Sequence, residues 1–168
     1  MTVTYESLQT TTLGSNQSTI EFTGISQAYS DLVIACAVKI TAGGMAVRPN
    51  SNTSSIYSGT YFNSNGTSAT SSRLGTGDLG GTGIYLLNGS VSTTEYTTVI
   101  YNINAYSNTS HTKQFLVQYG NTVGSGLVGM SAGFFNSTAA ISSLLFNLDG
   151  GGNFAAGTTI TIYGIKEE

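Results

Sequence analysis

The chain has 168 residues, 22 of them glycine, with 8% charged residues and a net charge of −3. That length fits one domain, and 39% apolar content with so low a net charge excludes intrinsic disorder. The longest apolar run, residues 32–40, is interrupted by Lys39 and falls far short of the roughly 18 residues a membrane helix needs. Residues 1–30 show no basic start followed by an apolar stretch, so no signal peptide is expected. Lys39, Arg48, Arg73, Lys113 and Lys166 are dispersed on an acidic chain and form no basic stripe, so no nucleic-acid partner is expected. The balance is Ser, Thr, Asn and Gly mixed with Tyr, Val, Ile and Phe, a composition of strands and turns.

Period-2 alternation places the elements. Residues 3–11 read as a weak first strand. Residues 18–25, STIEFTGI, point Ile20 and Phe22 inward. Residues 31–41 form a long central strand, with Leu32, Ile34, Cys36, Val38 and Ile40 on one face. MAVRPN, residues 45–50, continues this run after Gly43-Gly44, and Pro49 ends it because proline cannot donate to a ladder. Residues 50–83 read as one long Ser/Gly/Asn-rich loop with Tyr57, Tyr61 and Phe62 as anchors and room for a short helix around 53–62. A loop of that length is a candidate contact surface. Its three aromatics suit either an exposed contact or a satellite core beneath the loop, and Arg73 joins them as a candidate contact residue.

Strands resume at 83–89. Residues 94–106 put Val99, Tyr101, Ile103 and Ala105 inward, with Asn102 and Asn104 outward. HTKQFLVQYG puts Phe115, Val117 and Tyr119 on one face. GLVGMSAGFF offers Val128, Met130, Ala132 and Phe134 to the core, and AISSLLFNLD offers Leu144, Phe146 and Leu148. NFAAGTTITIYGIK closes the chain with Ile160, Ile162 and Ile165. Nine or ten strands with turn signals every 8–12 residues predict an all-β, antiparallel sandwich or barrel in a single domain, 1–168, with a jelly roll as the leading form.

No motif carries chemistry in its required context, so no enzyme, cofactor or metal is expected. GTGDLG, Gly75 to Gly80, has the dinucleotide spacing but lacks the preceding strand and following helix. GMSAG, Gly129 to Gly133, has the nucleophile-elbow spacing, yet the sole histidine, His111, precedes Ser131 and the motif lies within an alternating strand. Cys36 is the only cysteine and reads as a buried apolar residue. LDGGGN, residues 148–153, offers Asp149 alone to a cation and reads as a hairpin loop. The eight carboxylates fall in no recognisable pair, although sequence leaves a long-range glycosidase pair open.

FFNSTAAISSLLFNLDGGGNFAAGTTITIYGIK and LGSNQSTIEFTGISQAYSDLVIACAV resemble the ending and opening of small β-sandwich virion structural proteins of tailed bacteriophages. VRPNSNTSSIYSGTYFNSNG is similar to their looser middle. The resemblance implies a location in the virion and a non-enzymatic role in capsid decoration or cementing. It also implies other virion proteins as partners, the major capsid protein first. A tail-fibre or receptor-binding module that recognises host glycan is the alternative, with ten Tyr in its favour and the absence of Trp against it. A homo-oligomer is expected, a trimer or another small ring.

Overall fold

In the computed structural model the described residues are 4–74, 83–85, 91–122, 126–148 and 150–166. They form twelve strands and no helix: β1 (Thr4–Thr12), β2 (Thr19–Phe22), β3 (Asp31–Val38), β4 (Met45–Pro49), β5 (Tyr57–Ser64), β6 (Ala69–Leu74), β7 (Ile84–Tyr85), β8 (Thr97–Asn104), β9 (Lys113–Asn121), β10 (Leu127–Phe135), β11 (Leu144–Leu148) and β12 (Thr159–Lys166). An eight-stranded sheet has the order β1-β12-β3-β8-β9-β10-β5-β6, and a four-stranded sheet has the order β2-β11-β4-β7. Every pairing is antiparallel.

The order is simple once β5, β6, β9 and β10 are set aside. The remaining strands pair as β1 with β12, β2 with β11, β3 with β8, and β4 with β7. That nested pairing, first with last and second with last but one, is one long hairpin folded over into two four-stranded sheets. It is the jelly-roll arrangement. The four other strands are two insertions: β5 and β6 lie between β4 and β7, and β9 and β10 lie between β8 and β11. Both insertions add to the same edge of the same sheet, beyond β8, and together they form a four-stranded wing.

The core lies between the sheets. Leu32, Ile34, Cys36 and Val38 of β3, Val99, Tyr101 and Ile103 of β8, and Ile160 and Ile162 of β12 are all buried from the large sheet. Ile20, Phe22, Met45, Val47, Leu144 and Phe146 meet them from the small one. Tyr101 of the large sheet meets Phe146 of the small one in a T-shaped contact at 6.3 Å between ring centroids, and Phe146 makes a second such contact at 5.8 Å with Phe22 of its own sheet, so one aromatic T-contact joins the two sheets and the other backs it. The Tyr101 hydroxyl is buried with no hydrogen-bond partner, and burial pushes its pKa well up. An unpaired buried hydroxyl costs about 1–3 kcal/mol. Tyr101→Phe, which keeps the ring contact, is therefore expected to stabilise the protein by about 1 kcal/mol, read as a higher midpoint in thermal or urea denaturation.

Three expectations are corrected. Residues 57–74 hold the β5–β6 hairpin instead of loop, and the helix around 53–62 is replaced by β5. The strand at 45–50 does not extend β3 within its sheet; it crosses to the other sheet as β4. Ala105 lies beyond β8 at φ 53° and is half-buried, held by its N–H donating to Asp31 Oδ1 at 2.6 Å.

Candidate interaction surface

The fourth correction creates the surface of interest. Alternation in β10 predicts Val128, Met130, Ala132 and Phe134 inward, and the structure turns them outward. Val128 is 63% exposed and Phe134 47% exposed, whereas Ser131 and Phe135 on the other face are buried. The cause is across the strand pair. Gly129 stands opposite Tyr119, and Gly133 opposite Phe115. A Cβ on Gly129 would lie 2.7 Å from Tyr119 Cε2, and one on Gly133 would lie 2.7 Å from Phe115 Cζ. The Tyr119 and Phe115 rings of β9, joined at Gly133 by the Ser58–Gly59 backbone of β5, therefore occupy the inward space that β10 leaves empty. With large side chains on β9 and glycines on β10, the apolar side chains of β10 have only the outer face left.

Register then defines that outer face across the wing. Met130 sits opposite Gln118 and Phe62, Ala132 opposite Leu116 and Thr60, and Val128 opposite Gly120 and Ser64. Phe62 is 54% exposed, while Leu116 and Met130 are half-buried. The face continues through Asn102, Val33 and Tyr163 on β8, β3 and β12. Among the described residues the only charged side chains on it are Asp31 and Arg73, at the end of β3 and on the edge strand β6.

The four candidate contact residues separate. Phe62 and Arg73 are exposed on the outer face. Tyr61 is half-buried on the opposite face. Tyr57 is core: it is buried, stacks on Phe135 at 4.9 Å, and its hydroxyl donates to Asn52 O at 3.0 Å. It belongs to the satellite-core reading. The signal for Val128 and Phe134 was in the sequence, in F-x-V-x-Y followed by G-x-S-x-G on the next strand.

The loop region beside the wing is organised by a buried cation. Lys113 opens β9 on its inward face, and its Nζ donates to Asn108 O, His111 O (2.8 Å) and Thr138 O (3.1 Å). Three ammonium protons meet three carbonyls. Burial pushes the Lys113 pKa down from its ordinary value. His111 itself is exposed, with Nδ1 3.1 Å from Asn108 Oδ1. Ser131 is buried on the core side of β10 whereas His111 is exposed, and Cys36 is buried with its thiol pKa pushed up by burial. The Gly75 to Gly80 motif and Asp149 lie outside the described residues. No group of three or more His, Cys, Asp or Glu that could hold a metal ion occurs among the described residues.

Compared with known proteins, the chain matches no family model and no curated protein.

Proposed function

We propose that this chain is a non-enzymatic structural protein of a tailed-bacteriophage virion that decorates or cements the capsid exterior by binding the major capsid protein. The observation that carries the reading is the outer face of the large sheet: eight strands wide, with Phe62, Val128 and Phe134 exposed among uncharged Ser, Thr and Gln in its wing, and charged only at Asp31 and Arg73 among the described residues. Such a face is suited to permanent contact. The two-sheet core behind it supplies stiffness, and the sequence resemblance supplies the setting.

The test is reconstitution on purified heads lacking this chain, followed by density gradients and imaging of the particle. The protein is expected to co-sediment with the heads and to occupy regular exterior positions. Because screening acts on charges, raising salt from about 0.05 M to about 0.5 M is expected to leave binding unchanged within about threefold. A protein that never accompanies particles, or one released wholly by salt, overturns the reading.

A further inference from the structure

We infer that the recess where β3 opens is a binding site for a primary ammonium group, the chemistry of a lysine side chain. This does not rest on the virion reading, because the recess offers the same groups whatever molecule supplies the ammonium.

The recess has a volume of about 250 Å³ and is lined by Ser30, Asp31, Ala105, Ser107 and Asn108. Asp31 is the first residue of β3, and the facing wall is the turn that follows β8. The Asp31 carboxylate is half-buried, and the Ala105 N–H donates to its Oδ1 at 2.6 Å. Among the described residues the carboxylate has no other hydrogen bond and no ion pair. A charge drawn partly out of water in this way favours an opposite charge beside it. Lys113 does not supply one, since its three protons go to Asn108 O, His111 O and Thr138 O. Ala105 is held at φ 53°, a conformation that residues other than glycine seldom adopt. Backbone strain of this kind gathers at ligand clamps.

The rest of the lining narrows the ligand. Ser30 Oγ donates to Ile165 O at 3.0 Å, and Ser107 Oγ donates to Tyr29 O at 2.7 Å. A hydroxyl has one proton to give, so these two serines keep only lone pairs for a ligand. Asn108 Oδ1 is turned to its own loop, where it accepts from the N–H groups of Ser110 and His111. One carboxylate oxygen and two hydroxyl oxygens make three acceptors, and an ammonium brings three donors. A guanidinium matches less well. Its planar fork engages both oxygens of a carboxylate, and Asp31 Oδ1 is already taken by Ala105. Calcium also matches less well, because it gathers about 6–8 oxygens and Asp31 is the one carboxylate in the lining. The volume leaves room for the flexible stem that carries a lysine ammonium.

Titration of the full chain with n-butylammonium at fixed ionic strength, followed through the amide NMR shifts of Ser107 and Asn108, tests this. Saturable binding with a Kd of about 10 mM or tighter is expected. n-Butanol, which has the same stem and no charge, is expected to bind at least about tenfold more weakly, and n-propylguanidinium at least about threefold more weakly. Asp31→Asn keeps an acceptor for the Ala105 N–H and removes the charge, so it is expected to weaken butylammonium binding at least about tenfold. If that variant fails to fold, the butanol comparison on the wild type carries the test. Nα-acetyl-lysine amide separates the sources: binding comparable to butylammonium assigns the recess to a lysine of a partner protein, and binding of butylammonium alone assigns it to a small free amine. The absence of saturable amine binding, butanol or guanidinium binding as tightly as butylammonium, a folded Asp31→Asn that binds like the wild type, or calcium shifting the same amides at lower concentration overturns the proposal.

Discussion

Lys113→Met is expected to destabilise the protein by about 3–5 kcal/mol, read as a lower urea midpoint at unchanged slope. The ammonium is buried and donates to the carbonyls of Asn108, His111 and Thr138. Methionine fills much of the same volume, so packing changes little. What is lost is three charge-assisted hydrogen bonds, each normally contributing about 1.5–3 kcal/mol, set against the desolvation of the charge. The three carbonyls are then left without their donor, in segments 105–112 and 136–140 that close the end of the wing. These loops are expected to become the first sites of proteolysis. Lys113→Arg is expected to fail as a rescue, because a planar guanidinium cannot direct its donors at three carbonyls around a point. A loss under about 1 kcal/mol would show that the lysine sits there only by packing.

Deleting residues 159–168 is expected to abolish cooperative folding, with near-complete loss of the soluble, protease-resistant protein. The deletion removes β12, which lies between β1 and β3 along its whole length. Ile160 and Ile162 leave the core, at about 2–5 kcal/mol each by analogy with large-to-small substitutions. Among the described residues β1 has β12 as its only neighbour in the sheet, and β3 is left with an open edge. Domains of this size are stable by about 5–15 kcal/mol, so the combined loss exceeds what they can bear. A truncated chain with an intact, cooperative melt would refute the role assigned to the closing strand.

The sequence is most readable where one face is wet and the other dry. β3, β8, β9 and β12 show clean alternation, and their inward residues Ile34, Tyr101, Val117 and Ile162 are all fully buried. β5 and β6 are different. Most of their residues are exposed or half-buried on both faces, so apolar and polar residues have no reason to alternate, and Ser, Thr and Asn hide the strands. The turn between them was legible: Asn65-Gly66 places Gly66 at φ 86°, and Asn65 Oδ1 accepts from the backbone N–H groups of Thr67 and Ser68. β10 was legible as a strand but not in its facing. Periodicity gives which residues share a face; which face is inward was decided by the rings of Tyr119 and Phe115 on the neighbouring strand. The candidate site divided for the same reason. Tyr57 and Phe62 lie in one strand on opposite faces, and only the sheet around them shows which one meets solvent.

The nested pairing also constrains the order of events during synthesis. Thr4 is matched with Lys166, and Thr12 with Thr159. A ribosome delivers the first strand more than a hundred residues before the partner it needs. Until then that segment has no edge to join, and contacts so distant along the chain make for slow assembly. The fold is thus sealed last at the strand that was made first.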